Sequence, residues 1–254
     1  MNSVACNGDN MHQVAKSLID HRETPDWGEI ANKHGDECTK EIANRFLLCC
    51  LIDYQSKADD AWKRGYRYFE GLDTEQKCEL WTAIANTSKV DWTSEENFRK
   101  CGLHWMHPAH NRLWQIAINI CAFFEGDARR IWQNGTLFDV LCRLYYIGAG
   151  EQISRMIVGA LRDCGQISGE SGIKSDVKGD VHVCRVLGRV FDGKEIRPAV
   201  AVAMARKMNP ADPWQLDSSL WRLGQTNCYP KSPKCTGCYL KSDCKYAQEH
   251  PLGG

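Results

Sequence analysis

Apolar side chains along this chain recur every three or four residues, the spacing that gathers them on one face of an α-helix. The segment 39–54 shows this spacing with Ile42, Phe46 and Leu47. Sustained alternation of apolar and polar residues, the pattern of a half-buried strand, is nearly absent. The pattern therefore predicts an all-α fold.

The same periodicity predicts a series of helices along the chain. They are expected near residues 11–21, 39–54, 59–71, 74–86, 91–100, 109–124, 137–146, 153–160, 181–191, 198–208 and 215–223. Pro198 suits the first turn of its helix, where its missing N–H removes no hydrogen bond. Residues 166–179, with three glycines and three serines, are expected to form a flexible connection.

The composition is typical of a soluble globular protein. The chain has 254 residues, of which 43% are hydrophobic and 25% charged. No apolar run reaches 18 residues, so no transmembrane helix is predicted, and the N-terminus lacks the order of a signal peptide. Fourteen cysteines without a secretory signal indicate reduced thiols in a cytoplasmic protein.

Charge is unevenly distributed, although the net charge is zero. Residues 174–250 contain 13 lysines and arginines against 8 acidic residues, whereas residues 1–173 contain 19 against 24. The C-terminal part of the chain is therefore basic. This asymmetry permits a surface that faces phosphate groups.

Four cysteines near the C-terminus follow the spacing C-x6-C-x2-C-x5-C. They are Cys228, Cys235, Cys238 and Cys244. Thiolates gathered so closely repel one another unless a metal neutralises them. A zinc ribbon usually has two C-x2-C pairs, whereas this loop has one such pair and two longer arms. The spacing favours a [4Fe–4S] cluster, with zinc as the alternative.

Two further motifs precede the cysteines. Gly148 and Gly150 lie between two predicted helices, where glycines let backbone N–H groups at a helix N-terminus approach a phosphate. Ordinary packing of two helices across a turn is the alternative. Asp180 stands at the start of a predicted helix, where it is either an N-cap or a functional carboxylate.

Three histidines, His104, His107 and His110, invite a metal-site interpretation. Pro108 is expected to interrupt the helix that would stack them on one face. The sequence therefore favours a polar loop over a metal site.

These motifs together resemble the endonuclease III family of helix-hairpin-helix DNA glycosylases. In that family, a hairpin of the form Leu-Pro-Gly-Val-Gly precedes Val-Asp-Thr-His and the same cysteine spacing. The corresponding segments here are Tyr-Ile-Gly-Ala-Gly ending at Gly150 and Asp-Val-His beginning at Asp180. The stretch from Leu47 to Gln55 is similar to an early family helix, and Trp221-Arg-Leu-Gly precedes the cysteines. The resemblance covers about residues 44–248.

The resemblance implies a monomer with two lobes. Residues 44–172 would form a six-helix barrel that contains the hairpin. Residues 173–254 would form the lobe with the catalytic aspartate and the cluster, and residues 1–43 would pack with that lobe.

The implied function is removal of a damaged or modified base from duplex DNA during base excision repair, with the nucleotide flipped out of the helix. Asp180 would be catalytic, and the cysteines would hold a structural [4Fe–4S] cluster. The residues implied in DNA contact are Gln55, Gly148, Gly150, His182, Lys231 and Lys234.

The departures from the family pattern change this expectation. Gln152 occupies the position of the Schiff-base lysine, so a hydrolytic enzyme without strand cleavage is expected, with Gln152 as a site residue. Glu151 beside it would oppose a phosphate, and Cys50 replaces the glutamate of adenine-specific relatives. The alternative is a non-catalytic DNA-binding or damage-sensing protein of the same fold. Either protein would act at the nucleoid.

Overall fold

The computed structural model describes residues 8–25, 27, 38–54, 57–104, 107–167 and 174–251. These residues form α-helices with a few short 3₁₀ turns, and they contain no β-strand. The all-α prediction is therefore confirmed. Residues 168–173 of the connection predicted to be flexible lie outside the described ranges.

The helices follow the chain in order. The first seven are α1 (Gly8–Asp20), α2 (Lys40–Ile52), α3 (Ala58–Glu70), α4 (Thr74–Cys78), α5 (Leu80–Asn86), α6 (Lys89–Trp92) and α7 (Glu95–Cys101). The remaining seven are α8 (His107–Phe124), α9 (Leu137–Ile147), α10 (Glu151–Asp163), α11 (Val181–Asp192), α12 (Pro198–Met208), α13 (Asp217–Thr226) and α14 (Lys245–Glu249).

The chain divides into two compact units. One unit combines Met1–Pro25 with Lys174–Gly254, and the other is Asp26–Ile173. The first boundary differs from the expected one between residues 43 and 44, which would cut α2. Helix α2 is not divided, because its residues 42–52 are all buried and it packs against α3, α4, α8 and α10 of the second unit.

The core of the first unit is built by α1, α11, α12 and α13. Helix α1 contributes Met11, Val14 and Leu18, which its sequence places on one face. Ser219 of α13 donates from Oγ to the Leu18 carbonyl at 2.7 Å in a buried position. The N-terminal helix is thereby tied to the half of the unit that contains the cysteine loop.

The core of the second unit surrounds α2. Thr39 caps this helix by accepting a hydrogen bond from the Ile42 amide at 3.3 Å. Phe46 packs edge-on against Trp132, with ring centroids 6.3 Å apart. The helix is buried on nearly all sides, which explains why its apolar pattern is broader than that of a surface helix.

Two predicted helices are each split into a pair. The helix expected at 74–86 is divided at Glu79 into α4 and α5, and the one expected at 91–100 becomes α6 and α7. Ser88 caps the start of α6, and Ser94 explains the second division, because its hydroxyl caps the start of α7. Their Oγ atoms accept from the Asp91 amide at 3.1 Å and the Asn97 amide at 3.2 Å.

The histidine segment differs from the expected polar loop. Helix α8 begins at His107, with Pro108 in its first turn, where proline is tolerated. His104 is buried and bonded to the Tyr54 carbonyl at 2.6 Å. His110 is buried and stacks on Trp92 at 4.4 Å between ring centroids. Both are core histidines, because each buried ring has a carbonyl partner.

Candidate nucleic-acid interface and cysteine loop

The connection between α9 and α10 is a tight glycine turn. Gly148 ends α9 with a φ of 96°, a left-handed conformation that favours glycine. Its amide donates to the Tyr145 carbonyl at 3.0 Å, and the Ala149 amide donates to the Leu144 carbonyl at 3.0 Å. Gly150 is the N-cap of α10. The two helices and this turn form a helix-hairpin-helix unit.

Helix α8 braces the hairpin. Arg112 donates from Nη2 to the Gly148 carbonyl at 3.1 Å, and Asn119 donates from Nδ2 to the Ile147 carbonyl at 3.1 Å. Nη2 of Arg112 also lies 3.2 Å from the position of a Cβ at Gly150, so a side chain there would crowd the guanidinium. Sequence reasoning missed this brace, because helical spacing does not show which polar residue contacts a distant turn.

Ser154 completes the support from the other side. Its Oγ donates to the Ala149 carbonyl at 3.1 Å, and the residue is fully buried. Three successive hairpin carbonyls thus have side-chain donors, and the Gly148 amide is already bonded inside the turn. The amides that helix geometry leaves for an external anion are those that begin α10, from Gly150 onward.

The charge around the hairpin is more positive than the expectation based on Glu151. Glu151 forms an ion pair with Arg155 one turn later in α10. Arg112 adds a second guanidinium beside the turn and lies over the Tyr54 ring, 5.1 Å from its centroid. Glu151 is therefore offset by two nearby arginines. The opposition to phosphate that Glu151 suggested is reduced accordingly.

The other sequence-predicted residues of this unit are Gln152 and Gln55. Gln152 lies in the first turn of α10 and is partly exposed. Gln55 lies outside the described residues.

Asp180 is the N-cap of α11. Its Oδ1 accepts hydrogen bonds from the His182 amide at 2.9 Å and the Val183 amide at 3.0 Å. Its Oδ2 makes no hydrogen bond with the described part of the chain. Gly179 precedes it with a φ of 66°, and a Cβ there would lie 3.2 Å from the Val202 side chain. The capping role therefore uses only one of the two carboxylate oxygens.

His182 is held against α13. Arg185 donates from Nη2 to Nδ1 of His182 at 3.0 Å, so Nδ1 is the acceptor nitrogen. The Trp221 ring lies edge-on, with centroids 6.3 Å apart. A Cβ at Gly224 would lie 2.5 Å from the His182 Cβ, so this close approach needs glycine.

Two arginines of α11 bind the start of the cysteine loop. Arg185 donates from Nε to the Cys228 carbonyl at 2.6 Å. Arg189 donates to the Tyr229 and Pro230 carbonyls, both at 2.7 Å, and its Nη1 lies 3.4 Å from Sγ of Cys228. Both arginines are buried. The helix that Asp180 caps therefore also positions the cysteine loop.

The four cysteines of that loop line one cavity, together with Arg189 and apolar residues. All four are free thiols. Burial, followed by repulsion from Cys228, Cys238 and Cys235, raises the pKa of Cys244 to about 11. Burial likewise raises the pKa of Cys235 and of Cys238. Such thiols stay protonated unless a cation stabilises their thiolates, so this donor set is chemically suited to a metal group.

No group of three or more histidine, cysteine or acidic side chains that could hold a metal ion is present among the described residues. The four cysteines thus surround a shared cavity without forming a compact ion site. Lys231 and Lys234, for which the resemblance implies DNA contact, are exposed on the same loop, as is Lys241.

No helix within the described ranges is long and apolar enough to cross a membrane. Sequence comparison finds no matching family model and no matching curated protein.

Comparison with solved structures does find likenesses over nearly the whole chain. A trapped covalent intermediate of endonuclease III with DNA matches with a TM-score of 0.64 at 14% identity, covering 96% of this chain and 99% of that one. A non-covalent endonuclease III–DNA complex matches with a TM-score of 0.63 at 15% identity, covering 96% and 98%. A thermostable thymine-DNA glycosylase matches with a TM-score of 0.58 at 14% identity, covering 95% and 98%. The chain therefore has the helix-hairpin-helix DNA glycosylase fold of endonuclease III.

Proposed function

We propose that this protein is a DNA glycosylase that hydrolyses the N-glycosidic bond of a damaged or modified base in duplex DNA. The observation that carries the proposal is the Asp180 carboxylate, with Oδ1 fixed by two amides and Oδ2 bonded to no described residue. It is supported by the fold, whose solved examples include endonuclease III bound to DNA and a thymine-DNA glycosylase.

Asp180 supplies the charge that the reaction needs. As the bond between C1′ and the base nitrogen breaks, positive charge develops on the sugar, and a nearby carboxylate stabilises it. Water adds its hydroxyl to C1′, and its proton passes to Asp180 and then to the departing base. The amides of His182 and Val183 hold the carboxylate in one orientation. No lysine nucleophile is required for this sequence of steps.

Gln152 makes the proposed enzyme monofunctional. Its carboxamide is neither a nucleophile for C1′ nor able to form an imine with the opened sugar. By the resemblance, Gln152 stands where the lysine of strand-cleaving relatives stands. The proposed product is therefore an intact abasic site.

The proposed DNA contacts combine the hairpin with the basic loop. The amides that begin α10 and the Arg112 guanidinium would bind the phosphate backbone. Lys231, Lys234 and His182 would add contacts from the other unit. These contacts would offset the few kcal/mol that flipping a nucleotide out of the stack costs.

We further propose that Cys228, Cys235, Cys238 and Cys244 hold a [4Fe–4S] cluster. The four line one cavity, and their spacing contains one C-x2-C pair rather than the two pairs of a zinc ribbon. The cluster would cross-link the basic loop, and Arg185 and Arg189 would keep the start of that loop on α11. Metal analysis should find about four iron atoms per chain and no stoichiometric zinc. One zinc per chain without iron would favour the zinc alternative.

The function is tested with duplexes that each carry one damaged or modified base. Wild-type protein should convert at least one of them to a product that breaks only after alkali treatment. Saturable duplex binding without base release from any substrate would favour the non-catalytic DNA-binding alternative. A role on DNA would place the protein at the nucleoid.

A further inference from the structure

A cavity of about 690 Å³ lies among α3, α4, α5, α6 and α7 of the unit Asp26–Ile173. All of the charged side chains that line it are cationic. They are Arg64, Arg67, Arg99 and Lys100, and none of the described lining residues is aspartate or glutamate. The lining includes no residue of the hairpin, so the proposed glycosylase reaction does not account for it.

The cations of the cavity are anchored to different degrees. Arg64 donates from Nε to the Leu103 carbonyl at 3.2 Å, which fixes its guanidinium in the wall. Arg99 pairs with Glu95 at 2.9 Å, but both side chains are mostly exposed and such a pair is weak. Arg67 and Lys100 form no ion pair with a described carboxylate. Two positive charges at the cavity thus lack a counter-ion within the described part of the protein.

Several cations elsewhere in the unit are paired with carboxylates: Lys40 with Glu79, Arg45 with Glu70, Lys77 with Glu70, Arg129 with Asp127, Arg130 with Glu125 and Arg155 with Glu151. No carboxylate is among the described residues that line this cavity. Like charges gathered around one concavity repel each other and attract a counter-ion. A bound anion would therefore neutralise the positive charge that lines this cavity.

The chemistry and size of the cavity indicate the kind of anion. Arginine forks match the oxygens of a phosphate, and lysine supplies a further point charge. Gln76, Thr87 and Asn97 add polar groups to the lining, and Leu80 and Ile84 add an apolar part. A volume of about 690 Å³ lies in the usual range for small-molecule sites of about 300–1,000 Å³.

We infer that this cavity is a phosphate-binding site. Arg67 and Lys100 contact the phosphate oxygens directly, with Arg64 fixed behind them. The phosphate belongs either to a free nucleotide or to the backbone of a nucleic-acid strand, and the chemistry of recognition is the same for both.

The test measures binding to the full-length chain by calorimetry. The probes are pyrophosphate, deoxyadenosine monophosphate and a single-stranded oligonucleotide. The variant is the double substitution Arg67→Gln with Lys100→Gln. The matched control is Lys57→Gln with Lys63→Gln, which removes the same charge from two exposed lysines of the α3 region outside the cavity lining.

Wild-type protein should bind at least one probe saturably, and the cavity variant should bind it at least about tenfold more weakly, because charge-assisted hydrogen bonds are lost. The control should stay within about twofold of wild type, because exposed charges outside the cavity act only through screened long-range attraction. Binding of the two small probes would identify a free nucleotide as the source, and binding of the oligonucleotide alone would identify a strand backbone. No saturable binding of any probe, or equal weakening in the control, would overturn the inference. Circular dichroism of both double variants checks that their helix content is unchanged.

Discussion

Arg112 donates from Nη2 to the Gly148 carbonyl at 3.1 Å, and this bond places a guanidinium beside the hairpin. The same group lies over the Tyr54 ring, at 5.1 Å from its centroid. The arginine is therefore held from two sides, by a carbonyl of the turn and by an aromatic ring after α2. It supplies the positive charge that the hairpin sequence itself lacks.

Replacing Arg112 should weaken DNA binding. In Arg112→Met, the loss of one phosphate-facing cation should raise Kd about tenfold and reduce the slope of log Kd against log salt by about one. Arg112→Lys should restore most of the slope, because the charge returns. Fluorescence anisotropy with a labelled duplex at several salt concentrations measures both quantities.

Arg143 provides the matched control for this prediction. It also donates to carbonyls, at 3.2 Å to both Ile131 and Gln133, but at a turn other than the hairpin. Arg143→Met should leave the salt slope unchanged. An equal change of slope in both variants would show that the effect of Arg112 does not depend on its position beside the hairpin.

Gly188 should be intolerant of any side chain. It lies within α11, and a Cβ there would lie 2.2 Å from the Lys194 carbonyl oxygen and 2.8 Å from the Ile196 amide nitrogen. Because both neighbours are backbone atoms, Gly188→Ala should destabilise the chain by about 3 kcal/mol or more. Urea unfolding followed by circular dichroism measures the loss.

Gly165 provides the control that distinguishes this steric clash from backbone strain. It has a φ of 67°, but a Cβ added there would meet no atom of the described residues within 4 Å, so Gly165→Ala should cost only about 1–2 kcal/mol. If the two alanine variants unfold at the same urea concentration, the close approach of α11 to residues 194–196 is wrong.

Asp139 should stabilise the fold at neutral pH and lose this contribution at low pH. The Thr136 backbone amide, then its hydroxyl, holds the pKa of Asp139 below its ordinary value. A lowered carboxylate pKa stabilises the fold above the unfolded pKa of about 3.9, and this stabilisation is lost as the pH falls through the folded pKa. Asp139→Asn should lower Tm relative to wild type at pH 7 and have less effect near pH 3. A Tm difference that is the same at both pH values would contradict the capping-box assignment.

The presence of Gln152 predicts that the strand is not cleaved at the abasic product. Wild-type protein should leave it intact, and borohydride should trap no covalent adduct with DNA, because a carboxamide forms no imine. Gln152→Lys should introduce some trapping. Trapping by the wild type would mean that another amine acts, and Lys178, two residues before Asp180, is then the first to replace.

The sequence predicted the architecture better than the surroundings of the functional groups. Helical periodicity located most helices, because each buries one continuous face. It did not separate α4 from α5 or α6 from α7. Capping by Ser94 starts α7 anew, whereas Glu79 forms no side-chain cap at the start of α5.

A local motif in the sequence encodes only part of the candidate site. Asp180 was recognised both as a cap and as a candidate catalytic group, and its structure has the geometry of a cap. Arg112, Asn119 and Ser154 were missed, because their contacts with the hairpin leave no spacing in the sequence to detect. His104 and His110 were expected in a polar loop, but each is buried with a backbone carbonyl partner that the sequence does not reveal.

Asp180 is proposed to be catalytic as well as a cap. In Asp180→Asn, the side-chain oxygen can still accept from the His182 and Val183 amides, so Tm should stay near that of wild type. The negative charge is lost, and base release should slow by about 10²–10³-fold, as for other single electrostatic contacts to a transition state.

The decisive measurement is single-turnover base release by wild type and Asp180→Asn on the duplex that the wild type processes, read as alkali-labile strand breaks. A catalytic Asp180 predicts normal binding and Tm in the variant, with base release reduced by about 10²-fold or more. Equal rates for the two proteins would show that Asp180 only caps α11, and would contradict its proposed role in catalysis.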